Sequence, residues 1–227
     1  YKDARMQKMA DAGNGNYAYI DNLLEAQKVL VSQMGGTLVT IAKDVKIQVE
    51  FNPAAVKGYR LLGYEKRLLR AEDFNNDKKD AGELGAGHTV TALYELVPHE
   101  ARTDLGSIDA LRYQLAVSGR TNGANGELMT VKLRYKKPDG DTSIPLAFPV
   151  ANTVARLSAL SGTDTADFRF ASAVAEMALL LQDSAYKGQA SWARLIDRAE
   201  RATGKDAEGY RGEFVRLARI AQTLSGK

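Results

Sequence analysis

Apolar and polar residues alternate through much of the middle of the chain, and this pattern predicts short β-strands. In VKIQVEF, residues 45–51, we expect one packed apolar face and one solvated polar face. The apolar set is Val45, Ile47, Val49 and Phe51. The strand-like stretches are TLVTIA, VKIQVEFN, VKGYRLLGYE, HTVTALYELV, LRYQLAVSG, ELMTVKLRYK and IPLAFPV. Short strands separated by turn signals predict an antiparallel β-sandwich over residues 37–150.

The region after residue 150 carries helical periodicity and no proline. Because an interior proline breaks a helix, its absence favours long helices here. Three apolar stripes mark three helices: Phe168, Ala171, Val174, Ala175, Ala178 and Leu181; Trp192, Leu195, Ile196 and Ala199; Phe214, Leu217, Ala218, Ala221 and Leu224. We expect this helical region, residues 151–227, to pack on the sandwich with Trp192 at least partly buried.

Residues 1–36 predict a helix, a turn, a strand and a second helix. The first helix should end at Gly13 in a left-handed C-cap, and NYAYI should form the strand. Asp21 can cap the second helix, which should stop at Gly35 and Gly36. One strand between two helices needs a sheet to join, so this region is typical of the closing unit of an α/β domain. The expected fold class is therefore α+β in three regions.

Composition excludes several classes of function. The chain has 31 basic and 28 acidic residues, with no run of one sign, so we expect no nucleic-acid partner. It has no cysteine, which excludes disulfides, thiolate zinc sites and cysteine nucleophiles. The longest uncharged run, residues 142–155, is too short to span a membrane. Because the chain begins at Tyr1, we expect a piece of a longer protein, with any targeting signal upstream.

The stretch EDFNNDKKDAGELGAGH, residues 72–88, has the alternating oxygen ligands of a calcium loop at Asp73, Asn75 and Asp77. Such a loop needs a glycine at its sixth position and a glutamate at its twelfth. Lys78 and Leu84 occupy those positions instead. We therefore predict a solvated loop between strands without tight metal binding.

No residue pattern indicates catalysis. His88 and His99 are isolated, and the nucleophile-elbow pattern GxSxG is absent, so we assign no catalytic, cofactor-binding or metal-binding residue. Six arginines repeat on two of the predicted helices: Arg194, Arg198, Arg201, Arg211, Arg216 and Arg219. They form either an anion-binding surface or a solvated salt-bridged face. The interleaved Asp197 and Glu200 favour the second interpretation, with Asp197 and Arg201 as an i,i+4 pair.

Five stretches in one order carry a family resemblance: ADAGNGNYAYID, AKDVKIQVEFNP, YRLLGYEKR, GAGHTVTALYELVP and YKGQASW. Together they resemble bacterial von Willebrand factor type A domain proteins that continue into a C-terminal region of unknown function. The resemblance implies that residues 1–36 are a remnant of the type A domain. It also implies a divalent cation, Mg²⁺ or Ca²⁺, in the missing part of that domain, and no ligand for it in this chain.

Two functions follow from these observations. The first is a non-catalytic interaction or structural module that supports adhesion or protein assembly at the bacterial envelope or periplasm. Its partner would be a protein, and residues 1–36 could pair two copies through an exposed strand edge. The alternative is a carbohydrate-binding or hydrolytic domain with a cleft between sandwich and helices.

Overall fold

The computed structural model describes residues 2–13, 15–64, 68–102, 126–151 and 163–226. Within these residues the fold is α+β, with six α-helices and six strands in antiparallel sheets, which confirms the predicted class. No helix in the described ranges is both long and apolar enough to cross a bilayer. The predicted strand LRYQLAVSG, residues 111–119, lies outside them.

The N-terminal region is helical and contains no strand in its described part. Helix α1 spans Asp3–Ala12, α2 spans Leu23–Gln27 and continues as a π-helix over Lys28–Ser32, and α3 spans Met34–Leu38. The predicted NYAYI strand is wrong, because residues 16–20 have no strand partner. Most of the large apolar side chains here are exposed: Met6, Met9, Tyr19, Ile20, Leu23, Leu24, Leu30, Val31, Met34 and Leu38.

Three local predictions in this region are also wrong. Gly13 has φ −105°, so the first helix ends without a left-handed cap. Asn22 caps α2 in place of Asp21, because its side-chain oxygen accepts from the N–H of Glu25 at 2.9 Å. Helix α3 runs through Gly35 and Gly36, where the sequence predicted a stop.

The six strands form two sheets. They are β1 Thr40–Phe51, β2 Val56–Leu62, β3 Gly82–Gly85, β4 Leu93–Pro98, β5 Glu127–Lys136 and β6 Ile144–Ala151. One sheet has the order β3-β1-β5-β6, and β2 pairs with β4 in a two-stranded ribbon. The predicted sandwich of seven strands stays a prediction.

Strand β1 merges two of the predicted strands through a bulge. Its register against β3 shifts between Ala42 and Val45, and Asp44 between them has φ 49°. The extra residue accommodates the polar pair Lys43 and Asp44 within one strand, between the apolar residues that precede and follow the pair.

The predicted orientation of β1 is wrong at two neighbouring positions. Lys46 is 3% exposed, whereas Ile47 is 51% exposed. The reversal has a cause in the loop after β2, because Lys46 Nζ donates to the carbonyl of Asn76 at 2.5 Å. The polar side of the strand is therefore covered by chain, and Lys46 is buried with its charge satisfied.

The chain divides into two compact units, each made of three segments. The first, which we call the sheet unit, comprises residues 1–50, 69–90 and 129–150. The second, the helical unit, comprises residues 51–68, 91–128 and 151–227. The ribbon of β2 and β4 thus belongs with the C-terminal helices. The three regions predicted from sequence, with boundaries at residues 36 and 150, stay a prediction.

The helical unit contains a buried apolar cluster. Helices α4 Thr163–Leu181, α5 Trp192–Arg201 and α6 Tyr210–Leu224 correspond to the three predicted helices. The buried cluster is Trp192, Leu195, Ile196 and Ala218, packed against Met177, Leu180, Phe214, Val215 and Ala221. Trp192 is 6% exposed, which confirms its predicted burial.

Part of the predicted stripe of α4 is wrong. Phe168 and Leu181 are 53% and 62% exposed, so they do not belong to the core. The helix instead turns Ala173, Met177 and Leu180 inward, which are spaced at i, i+4 and i+7 on one face.

Candidate functional site

The stretch from residue 72 to 88 is more structured than the predicted loop. A 3₁₀ turn spans Ala71–Asp73, Phe74 is buried, and β3 takes Gly82–Gly85 into the sheet beside β1. The glycine-rich GELG segment is therefore a strand, and the prediction of a plain loop is wrong there. A glycine is required at position 85, because a Cβ would meet the carbonyl oxygen of Gly36 at 1.4 Å.

Basic side chains donate hydrogen bonds to Asp77 in the calcium-like segment. The carboxylate of Asp77 accepts from the hydroxyl of Ser143 at 2.6 Å and from Arg134 Nη2 at 2.9 Å. Lys136 Nζ donates to Asp44 Oδ2 at 2.6 Å and to the carbonyl of Asp77 at 2.9 Å. We call Asp44, Asp77, Arg134, Lys136 and Ser143 the loop clasp. Arg134 and Lys136 therefore bind oxygen atoms that a metal ion in this segment would need as ligands.

The loop clasp shifts the ionisation of its members. Burial raises the pKa of Asp44, but hydrogen bonds from Lys136 and from the N–H of Ala81 lower this pKa by more, so it ends below its usual value. The Ser143 hydroxyl, with help from Arg134, lowers the pKa of Asp77. The hydrogen bond to Asp44 raises the pKa of Lys136. The arrangement holds charge in place, which suits a structural role.

A groove in the helical unit is the better candidate for a binding site. It has a volume of about 480 Å³ and lies between the β2–β4 ribbon and helices α4 and α5. We call it the ribbon groove. Its lining includes Arg60, Leu62, Leu93, Tyr94, Glu95, Phe168, Ser172, Glu176, Leu179, Tyr186, Lys187, Arg194 and Arg198. Its size is within the range of small-molecule and peptide side-chain pockets.

The strand side of the ribbon groove follows from the pairing register. Arg60 pairs with Glu95 and Leu62 with Leu93, so both pairs share one face of the ribbon. The opposite face holds aromatic side chains, where Phe51 contacts the rings of Tyr59 and Tyr94 at centroid distances of 4.4 and 5.3 Å.

Arginines form the polar walls of the ribbon groove. The guanidinium of Arg60 pairs with Glu95, donates to the carbonyl of Tyr186 at 3.0 Å, and stacks 4.7 Å from the Tyr186 ring centroid. Arg198 pairs with Glu176 at 2.9 Å. Glu176 also accepts from the N–H of Ser191 at 3.2 Å, which joins α4 to the start of α5. These pairs fix the shape of the groove.

Arg194 differs from the other groove arginines. Its Nη1 donates to the carbonyl of Gln189 at 3.2 Å, but within the described ranges no carboxylate forms a salt bridge with it. The lining holds four cations, Arg60, Lys187, Arg194 and Arg198, against two carboxylates, Glu95 and Glu176. Lys187 pairs with Asp183, which is not a lining residue, so the uncompensated charge is that of Arg194.

The predicted salt-bridged helix face is confirmed at five of the six arginines. Asp197 and Arg201 form the predicted pair at 2.9 Å. The other pairs are Arg198 with Glu176, Arg211 with Asp167, Arg216 with Glu213, and Arg219 with Glu200. The prediction is wrong for Arg194, which lines the groove without a carboxylate.

The two histidines lie apart from the ribbon groove lining. His99 Nε2 lies 2.5 Å from the carbonyl of Pro53, and the backbone N–H of His88 donates to Gly85. These contacts suit structural roles.

Sequence reasoning missed Arg60, Glu95 and Glu176, because their partners come from other elements. The one available signal was the placement of Arg60 and Leu62 at alternate positions of YRLL, on one face of a strand.

Comparison with known proteins places the chain in a family. The family model described as "Uncharacterized protein YfbK, C-terminal" matches residues 36–224. The chain belongs to this YfbK C-terminal family. The protein named "Uncharacterized protein YfbK" from Escherichia coli (strain K12) is 46% identical over 229 residues, which cover 99% of this chain and 37% of that protein. The chain thus spans little more than a third of that relative's length. No solved structure matches.

The family assignment confirms the resemblance at a coarse level. Membership in a bacterial family whose function is uncharacterized was expected and is shown. The link of this chain to a type A domain, through residues 1–36, stays a prediction.

Proposed function

We propose that this chain is a non-catalytic protein-interaction module, carried within a longer bacterial protein. The ribbon groove supports the proposal, because it combines apolar side chains with a guanidinium that lacks a carboxylate partner. Interfaces use arginine and aromatic side chains of this kind as anchors. The partial coverage of the E. coli relative supports the second part, since the matched region there belongs to a much longer chain.

The finer parts of the proposal come from the resemblance to von Willebrand factor type A proteins. In it, residues 1–36 are the end of a type A domain, the β-strands form a sandwich, and the whole protein acts in adhesion or assembly at the cell envelope or periplasm. A divalent cation would bind upstream of this chain. Type A domains bind their cation through an Asp-x-Ser-x-Ser motif. Determining the sequence that precedes Tyr1 tests this part directly, and the absence of that motif there would contradict it.

Site-specific photocrosslinking tests the interaction function. Tyr186 is 70% exposed and lines the ribbon groove, so p-benzoylphenylalanine at this position should capture a partner in living cells. Leu224, 82% exposed on α6, provides the control position. We expect a discrete adduct from position 186 alone, whose protein binds the purified chain again. No adduct at either position contradicts the proposal.

Pairing of two copies through residues 1–36 is a further element of the proposal. The exposed apolar side chains of α1 and α2 support it, and Leu23 is 84% exposed. Leu23→Glu should convert a dimer to a monomer in analytical ultracentrifugation without unfolding the chain. Leu181→Glu, at an exposed site on α4, is the control. A wild-type chain that is monomeric throughout contradicts this element.

The alternative function is a carbohydrate-binding or hydrolytic domain. The observation that favours it is the cleft between strands and helices, with Tyr186 and two carboxylates in its lining. Each carboxylate is already engaged by an arginine, which leaves neither group free to act on a sugar. Binding on a glycan array that is lost on Tyr186→Ala would favour this alternative.

A further inference from the structure

We propose that the ribbon groove recognises an acidic peptide segment in which an Asp or Glu lies close to a large apolar residue. The inference rests on the proposed interaction function and specifies the partner of the same site. Arg194 is the specificity-determining residue in this proposal, and the apolar lining supplies the anchor surface.

The charge argument starts from Arg194. Its guanidinium has five N–H donors, and the described structure gives it one acceptor, the carbonyl of Gln189. A carboxylate can take two parallel hydrogen bonds from a guanidinium, which makes it the matching partner. Arg60 and Arg198 are held by their own carboxylates, so they position the walls of the groove and leave Arg194 for the incoming group.

The apolar argument starts from Phe168. Phe168 is 53% exposed and lines the groove together with Leu62, Leu93 and Leu179. Covering such side chains removes apolar area from water, which stabilises a complex by about 25 cal/mol per Å². A ligand that carries charge alone would leave this surface exposed, so the occupant needs an apolar side chain beside its carboxylate.

The remaining charges favour a carboxylate over a phosphate. Among the residues that the structure describes, Arg194 carries the one uncompensated positive charge of the lining, so a single carboxylate neutralises it, whereas a dianionic phosphate would leave a negative charge beside Glu95 and Glu176. The volume of about 480 Å³ accommodates a few side chains, which suits a short segment of a protein. Nucleic acid is a poor match, because the lining has no run of unpaired cations.

The test selects short random peptides, displayed on phage, against the intact chain and against Arg194→Gln. Arg201→Gln is the matched control, because Arg201 lies on the same helix, is 75% exposed at its side chain and does not line the groove. Selected peptides should contain Asp or Glu within a few residues of Leu, Phe or Met. Their affinity, measured by fluorescence anisotropy, should fall about tenfold or more in Arg194→Gln and stay unchanged in Arg201→Gln. Trp192 fluorescence during thermal melts verifies that both variants fold.

The outcomes separate this inference from the proposed function. Selected peptides that lack acidic residues, or that bind Arg194→Gln as well as wild type, overturn the inference and leave the interaction function standing. Tighter binding of a selected peptide after its Asp or Glu is replaced by phosphoserine also overturns it. If no peptide is selected and position 186 captures no protein in cells, both the inference and the interaction function are wrong. Acidic peptides whose binding weakens with salt and with Arg194→Gln support both.

Discussion

Different interactions stabilise the interior of the sheet unit and the interior of the helical unit. In the sheet unit, Lys46 is almost fully buried, and the loop clasp joins Asp44 and Asp77 to basic side chains of β5. In the helical unit, Leu195 and Trp192 are buried in an apolar cluster without a charged member. Buried polar groups stabilise a fold only while their partners are in place, whereas apolar burial depends on volume. The two units should therefore fail under different perturbations.

Removing a core side chain from the helical unit should have the largest effect. Leu195 is fully buried, so Leu195→Ala removes its packing and leaves a cavity. We expect a loss of about 3 kcal/mol in the free energy of unfolding. Urea titration followed by the fluorescence of the single tryptophan measures it. Leu181→Ala at an exposed site should change the same quantity by less than about 0.5 kcal/mol. Equal effects of the two changes would contradict the assigned core.

Adding one methyl group to β3 should have the next largest effect. Gly85→Ala places a Cβ against the backbone of Gly36, so the chain must move apart there. We expect the free energy of opening of the sheet unit to fall by about 2 kcal/mol, with no change in the helical unit. Hydrogen exchange at the β1 amides measures it. Gly82→Ala in the same strand meets nothing within 4 Å and is the control. A Gly85→Ala chain with unchanged β1 protection would show that the close approach is absent.

Breaking the loop clasp should have a smaller effect. Lys136→Met leaves the carboxylate of Asp44 and the carbonyl of Asp77 without their shared donor. We expect faster exchange in the β1 amides, by less than Gly85→Ala causes, because Lys136→Met removes hydrogen bonds without forcing the backbone apart. Lys132→Met on the same strand removes a more exposed pair with Glu50 and should change little. An effect of Lys132→Met as large as that of Lys136→Met would show that the loop clasp stabilises the sheet unit no more than an exposed salt bridge does.

Acid should weaken the sheet unit by the smallest amount of the four changes. The pKa values of Asp44 and Asp77 are lowered in the folded chain, so the unfolded chain binds more protons in mildly acid solution. Their stabilisation is present above the unfolded value of about 3.9 and is lost as pH falls through the folded values. Lys136 has the opposite pH dependence, because its pKa is raised in the folded chain. Its stabilisation is lost as the pH rises through that folded-state pKa.

Comparing variants checks this pH dependence. Asp44→Asn keeps a residue that tolerates the positive φ at that position but removes the charge. Its β1 exchange rates should depend less on acid than those of wild type. If both chains respond alike between pH 5 and pH 2, Asp44 is not part of the response.

Sequence patterns predicted what depends on local spacing and missed what depends on distant partners. The apolar spacing around Trp192 and Leu195 predicted α5 and its buried face, because helical periodicity is local. The same reasoning placed Ile47 inside and Lys46 outside, and failed because a loop some thirty residues later covers the polar face.

The candidate site shows the same limit. Arg194 was noted in the sequence as one of six repeating arginines, and the local spacing that pairs Arg201 with Asp197 did not show that Arg194 lines a groove. The groove depends on β2 and β4, whose register brings Arg60 and Glu95 to the same side of the ribbon. A pairing between strands more than thirty residues apart cannot be read from periodicity, so the groove was not predictable.

The segments of the two units alternate along the chain, and this order affects how the chain folds while it is being synthesised. Strand β1 is complete at Phe51, but its neighbour β5 begins only at Glu127. At ribosomal rates of about 5–20 residues per second, β1 waits roughly 4–15 s for this partner. During that interval a nascent chain exposes an unpaired strand edge, a feature that promotes aggregation and recruits chaperones. Nascent chains that have emerged from the ribosome to about residue 120 should therefore carry more bound trigger factor or Hsp70 than chains that have emerged beyond β6.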